Sequence, residues 1–392
     1  MDNLRFRIRA CEVVLLVIMA AVLLPAQTFT TLHSFNGTDG QDPIAPLVQA
    51  SNGILYGTTL AGGTSNDGTL FEITTSGALT TLHSFDLSSR SNGIQPRGGL
   101  LEAADGNLYG TTLHGGNGGV GTVFKIALAG STKTVASLNY PVDGALPQAG
   151  LAQGRNGIFF GTASNGGNFG AGAVYELSPF GQLGPLYIFG SNQADGFTPM
   201  APVIVASDGN LYGTAFGGGV PDGCGTIFKL TPTGTFTLLH SFLATDGCQP
   251  AAPLVQGADG NLYGTASTGG ASGFNAGTFF KISLSGTFTL LHGFDVTDGA
   301  APTGGLIQAS DGNFYGTTQA GGAHGKGTIF KVTPNGTVTT LYSFCSLDSC
   351  NDGSVPYAGL IQGSDGNFYG TTTMGGAHND GTVFSLSAGL TR

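Results

Sequence analysis

Tryptophan is absent from this chain of 392 residues, and charged residues make up only 9% of it. Lys and Arg number 13 against 23 Asp and Glu, a formal net charge of −10. That balance leaves no basic surface for nucleic acid or an anionic membrane. The absence of Trp argues against a sugar lectin, although Tyr or Phe could still provide the stacking surface. Helical periodicity is also missing, because no window after residue 26 carries an apolar stripe with a 3.6-residue period.

The sequence also lacks the short motifs that mark common catalytic sites. It has no Gly-x-Ser-x-Gly nucleophile elbow, no paired-carboxylate motif and no phosphate-binding loop. Glycine-rich segments are frequent, with 69 Gly in the chain, but none of them opens a helix. Dinucleotide binding is therefore excluded by context, and no cofactor is predicted.

A motif of Tyr or Phe followed by Gly-Thr recurs seven times, at spacings of 51 to 54 residues. A period this long indicates one supersecondary unit repeated along the chain. A motif that every repeat contains is first of all a folding motif. Its aromatic residues are Tyr56, Tyr109, Phe160, Tyr212, Tyr263, Tyr315 and Tyr369.

The unit at residues 199–242 shows what one repeat contains. Four runs rich in β-branched and aromatic residues, at 203–206, 211–214, 225–230 and 235–242, are bounded by Gly, Pro, Asp and Asn. Such short runs are typical of strands. The Asp-Gly turn between the first two runs predicts a two-residue hairpin in which both central residues have positive φ. Each repeat is therefore predicted to form four antiparallel strands.

Seven four-stranded units predict an all-β fold, a seven-bladed β-propeller in which each unit is one blade. A linear β-solenoid is the competing repeat architecture. The last unit has three strands, and the fourth is found at residues 28–35, whose ending His-Ser-Phe matches that of 240–242. An N-terminal strand that completes the last blade would close the ring and remove exposed strand edges. We therefore predict one propeller domain at residues 27–392.

Residues 1–26 have the three parts of a secretory signal peptide. Three arginines precede an apolar stretch at 13–24, and Pro-Ala-Gln follows. This pattern predicts a signal peptide at 1–26 with cleavage after Ala26, and hence a secreted or cell-surface protein with no membrane span after leader cleavage. Because Leu24 occupies a position where a small residue is preferred, an uncleaved membrane anchor is the alternative.

Four cysteines follow the leader, an even number that suits disulfides in an oxidising compartment. Cys224 lies between the second and third strands of the fourth unit, and Cys248 lies in the loop that leaves this unit. Both loops emerge on one face of an up-and-down blade, whereas Cys345 and Cys350 share a single loop. The predicted pairs are therefore Cys224–Cys248 and Cys345–Cys350. Free thiols or a metal site are the alternatives.

The repeat is defined by Asp-Gly-Asn-Phe-Tyr-Gly-Thr-Thr at 311–318, Gly-Thr-Ile-Phe-Lys at 327–331 and the strand end His-Ser-Phe at 83–85. Over residues 28–389 it resembles the GloVer-type tandem-repeat proteins of bacterial cell exteriors. The resemblance implies a surface or secreted location and no established reaction. No sorting domain follows the repeats, which argues against covalent anchoring. A more distant likeness is to virginiamycin B lyase-type propellers, but no histidine here matches a catalytic one.

An Asp-Gly-x-x-Pro segment, or its Asn variant, precedes the first strand of every unit. A ring of such carboxylates could suggest calcium, which takes six to eight oxygen ligands. Each loop supplies only one or two acids, however, and Asx-Gly forms turns without a metal, so we interpret the segments as turns. They begin at Asp39, Asn92, Asp143, Asp195, Asp246, Asp298 and Asp352.

Four of the seven histidines occupy one position of the fourth strand. Other residue types, Ile among them, stand there in the remaining units, and we therefore interpret it as a packing position. The histidines are His33, His83, His240 and His292, and the residues aligned with them are Asn139, Ile188 and Tyr342.

Long connections are predicted to gather on one face of the disc, while short turns make the opposite face flat and uniform. Function tends to lie on loops held by a rigid scaffold. On the long-loop face, each chain segment enters the innermost strand just after its proline, at the channel mouth, and the next residue is always Ala or Gly. The positions at the mouth are Ile44, Arg97, Gln148, Met200, Ala251, Thr303 and Tyr357.

One cation and one aromatic residue break the repeat symmetry at this mouth. We hypothesise that Arg97 and Tyr357 contact an acidic or aromatic ligand, with Met200 and Gln148 beside them. Random drift at exposed positions is the alternative. Two of the loop histidines stand in equivalent Gly-Gly-Ala-His segments, but no third ligand with defined spacing accompanies them, so no metal is predicted. The loop histidines that would assist at the mouth are His114, His324 and His378.

The favoured function is a non-catalytic module that binds an unknown extracellular ligand or protein. The alternative is an extracellular lyase or hydrolase that acts on a carbohydrate or cyclic ester at the channel mouth, and a purely structural envelope protein is a third possibility. Propellers serve all of these roles, so fold alone does not separate them. An acid, a base and a nucleophile converging at one mouth would indicate the enzyme, and no catalytic residue is identified.

Overall fold

The computed structural model describes residues 27–88, 92–128, 132–192, 194–270 and 273–390. Within these ranges 29 strands form seven antiparallel sheets, and the one helical element is a 3-10 turn at Asp348–Cys350. Six sheets have four strands and one has five. The sheets are the blades of a seven-bladed β-propeller, as predicted.

The predicted signal peptide, residues 1–26, lies outside the described residues. In the part of the chain that the structure describes, no helix is long and apolar enough to cross a membrane.

Strands are numbered along the chain. The first strand, β1 (Thr28–Ser34), belongs to blade 7. Blades 1 and 2 contain β2 (Val48–Gln49), β3 (Leu55–Thr59), β4 (Thr69–Ile73) and β5 (Leu79–Ser84), then β6 (Gly93–Pro96), β7 (Leu101–Glu102), β8 (Leu108–Gly115), β9 (Thr122–Ile126) and β10 (Thr132–Ser137). Blades 3 and 4 contain β11 (Ala152–Gln153), β12 (Phe159–Ala163), β13 (Ala173–Leu177) and β14 (Leu183–Ile188), then β15 (Ile204–Val205), β16 (Leu211–Ala215), β17 (Thr226–Leu230) and β18 (Phe236–Ser241).

The remaining strands complete the ring. Blades 5 and 6 contain β19 (Val255–Gln256), β20 (Leu262–Ala266), β21 (Thr278–Ile282) and β22 (Phe288–Gly293), then β23 (Ile307–Gln308), β24 (Phe314–Thr318), β25 (Thr328–Val332) and β26 (Val338–Ser343). Blade 7 contains β27 (Ile361–Gln362), β28 (Phe368–Thr372) and β29 (Thr382–Ser387) together with β1.

The N-terminal strand closes the ring. β1 pairs antiparallel with β29, from Thr28 opposite Ser387 to Ser34 opposite Thr382, and gives blade 7 the strand order β1-β29-β28-β27. Phe35, which follows β1, is fully buried among side chains of blades 7 and 1. The predicted closure is therefore confirmed.

The core lies between the blades and not within a single layer. Seven clusters of buried side chains each join two neighbouring blades. In one of them, Tyr212 of blade 4 packs with Phe280 of blade 5. Neighbouring blades cover both faces of every blade. As a result, all five residues of the second strand are buried in blades 1 and 3 to 7.

The turn between the first and second strands differs from the two-residue hairpin that Asp-Gly predicts. In blade 4, the Ala206 amide donates to the Asn210 carbonyl and the Gly209 amide donates to the Ala206 carbonyl. The loop therefore contains three residues, and only Gly209 has a positive φ, of 79°. The two-residue prediction was wrong because the Asp208 carboxylate accepts the Asn210 amide at 3.1 Å, which closes an Asx turn instead.

The Asp of this turn also holds the aromatic residue of the Tyr-Gly-Thr motif. The Tyr212 hydroxyl donates to Asp208 Oδ2 at 2.9 Å, and Lys229 Nζ lies 3.1 Å from the same oxygen. Burial by itself would raise the pKa of Asp208, but hydrogen bonds from Asn210, Tyr212 and Lys229 outweigh it and lower the pKa to about 2. Blades 2 and 6 contain the same arrangement.

We expect Asp208→Asn to reduce stability at neutral pH and to have little effect near pH 2. A folded-state pKa of about 2, below the ordinary 3.8, means that the ionised carboxylate stabilises the fold above about pH 4 and that this contribution disappears as pH falls through 2. Urea unfolding at a series of pH values measures the difference in free energy. Asp348→Asn, on an exposed side chain, is the control, and a difference that stays constant with pH would contradict the linkage.

Both predicted disulfides are present. Cys224–Cys248 joins two loops on the same face of blade 4, with the Cα atoms 4.4 Å apart. Cys345–Cys350 lies within the connection from blade 6 to blade 7. Two structural disulfides are typical of proteins that fold in an oxidising compartment.

Three of the four fourth-strand histidines hold Asp-Gly-x-x-Pro segments. His33 Nε2 lies 2.9 Å from Asp39 Oδ2, and the histidines that end the fourth strands of blades 4 and 5 bind the Asp six residues later in the same way. At the end of the fourth strand in blade 3, the Tyr187 hydroxyl donates to Asp195 at 2.9 Å. The His240 ring also stacks on Phe288 with the ring centres 3.9 Å apart, so the position is a packing position as predicted, and in addition it binds a carboxylate, which was not predicted.

The alignment of this position also shifts in two blades. The strand register places Tyr187 there instead of Ile188, and Ala136 instead of Asn139. A buried apolar residue, usually Phe, stands two positions later in every blade and fixes the count.

Candidate functional site

Each blade is entered through a strained residue directly before the proline of its Asp-Gly-x-x-Pro segment. All seven are non-glycine residues with φ between 54° and 59°. The amide of each donates to a carbonyl in the loop between the second and third strands of the preceding blade. Left-handed backbone at such residues costs about 1–3 kcal/mol each and persists where the surroundings hold it, often at functional sites. The residues are Asp42, Gln95, Leu146, Thr198, Gln249, Ala301 and Val355.

The strained segments deliver one side chain per blade to the mouth of the central channel. The structure places all seven predicted mouth positions around one pocket of about 300 Å³, which we call the mouth pocket. Crowding explains the Ala or Gly that follows each of them. A Cβ atom on Gly98, for example, would lie 2.4 Å from the backbone of Ala149 in the next blade.

Two side chains from blades 2 and 7 meet across the mouth. Arg97 Nη2 donates to the Tyr357 hydroxyl at 3.3 Å, and the guanidinium carbon lies 5.9 Å from the ring centre. Both residues are half-buried. Arg97 is the one charged residue that lines the mouth pocket, and it forms no ion pair with a carboxylate in the described ranges. A half-buried cation without a counter-ion favours an anionic ligand.

Gln148 contributes an acceptor that lacks a partner. Its Nε2 donates to Ser164 Oγ at 2.8 Å, and Ser164 Oγ donates to the Leu146 carbonyl at 2.9 Å. Gln148 Oε1 is buried and accepts no hydrogen bond from any described residue. Leaving such an atom unsatisfied costs about 1–3 kcal/mol.

The rest of the mouth pocket is largely apolar. Met200, Ile44 and Ala251 line it together with Pro46 and Pro253. Thr303 Oγ1 accepts a hydrogen bond from Gln319 Nε2 at 2.6 Å. Gln319 and Ser164, which orient two mouth residues, were missed in the sequence analysis. The available signal was a polar side chain directly after the second strand, and this signal was not specific because Ser267 and Thr373 stand at the same place in blades 5 and 7.

The loop histidines lie apart from the mouth pocket. His324 and His378 are exposed, and His114 is half-buried in β8, where it pairs with Ile94 of β6. None of the three lines the pocket. In the described ranges no group of three or more His, Cys, Asp or Glu side chains could hold a metal ion.

A ring of hydroxyl contacts beneath the mouth is broken once. In six blades the Thr of the aromatic-Gly-Thr motif donates from Oγ1 to a carbonyl at the entry of the next blade, as Thr111 does to Ala149 at 2.8 Å. Thr58 Oγ1 of blade 1 is buried, and no described residue partners it. The next blade is blade 2, whose entry contains the additional strand β6 and Arg97. The blade that departs from the repeat is thus the one that supplies the cation.

The mouth pocket offers binding groups without an acid–base pair. Its lining contains a guanidinium, a phenol, an amide and a hydroxyl, and no Asp, Glu, His or Cys is among the described residues that line it. Proton transfer by a positioned side chain needs a group that titrates in the operating range within hydrogen-bond reach of the substrate.

Fold and pocket together define a propeller built from repeats, with a cationic pocket on its axis. The model of the Gloeobacter/Verrucomicrobia repeat matches residues 21–219 and 181–384. These matches cover most of the chain, and the chain belongs to this repeat family. The GloVer-type resemblance is thereby confirmed. No curated protein matches the chain.

Solved structures show similar propellers at low sequence identity. The extracellular domain assigned to a hybrid two-component system of B. thetaiotaomicron is similar with a TM-score of 0.58 and 11% identity over 91% of this chain. The match covers 41% of the solved chain of that domain. A gluconolactonase from Xanthomonas campestris is similar with a TM-score of 0.45 and 13% identity over 74% of this chain and 84% of its own. The first shows the fold alone, and the second is too weak to bear on function.

Proposed function

We propose that the chain is an extracellular binding module, and that its ligand enters the mouth pocket. The observation that carries the proposal is the half-buried Arg97, which contacts Tyr357 and is paired with no carboxylate of the described chain. The chain has a net charge of −10, yet a cation without an ion-pair partner among the described residues lies at the propeller axis. An anion that binds there would account for this cation.

The remaining polar groups narrow the class of ligand. A carboxylate would accept hydrogen bonds from Arg97, and a hydroxyl or amino group on the same molecule would hydrogen-bond with the Tyr357 hydroxyl. Met200 and Ile44 would contact the apolar part. A small hydroxy- or amino-carboxylic acid supplies all three features, and a pocket of about 300 Å³ suits a ligand of that size.

A lyase or hydrolase would need a general acid or base at the same mouth. The described residues around the pocket provide an arginine, a tyrosine and neutral polar groups. Binding therefore accounts for this lining better than catalysis does.

An extracellular location fits two independent features. The chain has two disulfides, which persist in oxidising compartments. Its first 26 residues have the charge and hydropathy pattern of a secretory leader. We therefore propose a secreted or cell-surface module that meets its ligand outside the cell.

Arg97→Ala is expected to weaken the binding of a small carboxylate by about tenfold to a hundredfold, because a hydrogen bond to a charged group contributes about 1.5–3 kcal/mol. Tyr357→Ala should also weaken binding while leaving the fold intact. A thermal-shift screen of hydroxy and amino acids identifies a ligand, since a saturating ligand at 100 times its Kd stabilises the folded state by about 2.7 kcal/mol. Titration calorimetry then compares the variants.

Arg155→Ala is the matched control for this experiment. Arg155 is exposed in the turn between the first and second strands of blade 3, on the face opposite the mouth. The unliganded variants should unfold at the same temperature as the wild type. Unchanged affinity in both mouth variants would move the site elsewhere, and an equal loss in Arg155→Ala would show only a general effect of charge.

A further inference from the structure

The short-turn face of the disc is not uniform at one place. An open groove of about 360 Å³, which we call the blade 2–3 groove, lies between the outer strand of blade 2 and the turn before the outer strand of blade 3. Its lining includes Tyr109, Lys125, Lys133 and Phe180. The turn rests on the outer strand, since a Cβ atom on Gly181 would lie 3.3 Å from the Val135 carbonyl oxygen. The predicted flat, uniform face was therefore wrong here.

Phe180, at the tip of this turn, replaces a polar residue of the repeat. Its side chain is 93% exposed, more than any other large hydrophobic side chain of the described residues. In blades 1, 4, 5 and 6 the equivalent residue binds the hydroxyl that opens the turn, as Thr233 does with Thr231 at 2.9 Å. A single exposed Phe needs no explanation, but a second departure lies beside it. The equivalent residues are Ser76, Thr233, Ser285 and Asn335.

Lys133 is the second departure, and it lies on the opposite wall of the groove. It faces Lys125 directly in the register of β10 and β9, and like charges in such positions destabilise a sheet. Lys125 Nζ is paired with Asp105 at 2.7 Å, whereas Lys133 is exposed and forms no ion pair with a described residue. The other blades have uncharged residues here, namely Thr30, Thr80, Gly184, Thr237, Thr289 and Thr339.

We propose that the blade 2–3 groove binds a uronic acid residue of an acidic polysaccharide. The Lys133 ammonium pairs with the uronate carboxylate, and the exposed ring of Phe180 packs against the C–H face of the sugar. Two departures from the repeat, in neighbouring blades, thus supply the charge and the flat apolar surface that one such residue needs. A neutral sugar would leave Lys133 without an ion-pair partner, and polyglutamate has no flat apolar face to pack on the Phe180 ring. A groove open to solvent also suits one residue of a longer polymer.

This site is independent of the mouth pocket, which lies on the opposite face. The overall charge of −10 repels a polyanion, so binding depends on the local cations and weakens as salt is added. The probe is tetragalacturonate, titrated against the mature protein at low salt and followed by NMR or calorimetry. Neutral galactotetraose and polyglutamate are the comparison ligands, and Arg97→Ala should leave the binding of tetragalacturonate unchanged.

Phe180→Thr and Lys133→Thr restore residues that other blades already have, so both variants should fold. We expect Phe180→Thr to weaken tetragalacturonate binding about three- to tenfold, as for other aromatic contacts. Lys133→Thr should weaken it about two- to fivefold, as for an exposed ion pair. The double variant should bind about six- to fiftyfold more weakly than the wild type, the product of the two single effects.

The boundary between blades 4 and 5 allows a gain-of-function test. It already contains Tyr212 and Lys229, and Gly286 lies over the Leu239 carbonyl as Gly181 lies over that of Val135. Thr237→Lys together with Ser285→Phe should create a second site and raise the stoichiometry from one to two. Three results would each overturn the proposal. They are an unchanged affinity in both single variants, equal binding of polyglutamate, and no binding of tetragalacturonate by the wild type.

Discussion

Deleting residues 28–35 is expected to lower the thermal midpoint by about 10 °C or more and to make the protein associate. The deletion removes β1, the outer strand of blade 7, together with Phe35, which is fully buried between blades 7 and 1. Losing a buried Phe side chain alone costs about 3–5 kcal/mol. At about 2 °C per kcal/mol for a large domain, a total loss near 5 kcal/mol gives a shift of this size.

The aromatic contacts of β1 add to this cost. The Phe29 ring stacks on Tyr342 of blade 6 with its centre 3.9 Å away and packs on Phe384 of blade 7 at 5.3 Å. Without β1 the edge of β29 has unpaired backbone groups, and an open edge of this kind pairs with other chains. Sedimentation velocity should therefore show dimers or larger species at concentrations where the wild type shows none.

A peptide of residues 27–36 provides the control for the deletion. Added in excess, it should rebind the open edge and recover most of the lost thermal midpoint, because it restores the same backbone pairs and both rings. The same peptide with Phe29→Ser and Phe35→Ser should recover much less. An unchanged midpoint after the deletion would show that β1 contributes nothing to blade 7.

The blade architecture was predictable because seven copies average out local ambiguity. Each strand run is too short to be assigned by itself, yet the same run recurs with its aromatic-Gly-Thr motif at nearly constant spacing. Ring closure was predictable from the shared His-Ser-Phe ending of residues 28–35 and 240–242, and the disulfides followed from which loops share a face.

The errors arose where carboxylate side chains accept hydrogen bonds. The Asp-Gly turns were assigned two residues, but Asp208 binds the Asn210 amide and lengthens the loop. At the fourth-strand position the bond to a carboxylate was missed because Ile188 was aligned with histidine, whereas counting back from the buried Phe189 gives Tyr187. In both cases a hydrogen bond to a carboxylate, which hydropathy patterns do not show, decides the structure.

The candidate sites divide in a similar way. Comparison of the seven repeats located the mouth positions. Each is a variable residue that lies between a proline and a small residue, and every repeat has both of these. It did not identify the unpartnered Gln148 Oε1, because that depends on where Ser164 directs its hydroxyl. The same comparison, applied to the short turns, would have found Phe180 and Lys133. Only the structure shows that blades 2 and 3 bring these two residues to one groove.

Gly213→Ala is expected to destabilise the protein by about 2–3 kcal/mol, as overpacking in a closed core does. The glycine of the aromatic-Gly-Thr motif lies beneath an aromatic ring of the next strand. A Cβ atom on Gly213 would lie 2.6 Å from Phe228 Cζ and 3.0 Å from Val203 Cγ1. Phe228 is fully buried against Phe189 and Phe236, so its ring has no space to retreat. The same contact recurs in all seven blades, which explains why no copy of the motif has another residue there.

Gly209→Ala and a double-mutant cycle separate space from backbone conformation. Gly209, four residues away, has φ of 79°, and a Cβ atom there would meet nothing within 4 Å, so alanine costs only the left-handed backbone, about 1–2 kcal/mol. Urea unfolding gives the free energies. The double variant Gly213→Ala with Phe228→Leu should lose at least about 1 kcal/mol less unfolding free energy than the sum of the two single losses. The double variant Gly209→Ala with Phe228→Leu should lose the sum of its two single losses, because the two residues are not coupled. Additive costs at Gly213 would show that the ring is not what excludes a side chain from the motif, and the glycine would then need a backbone explanation instead.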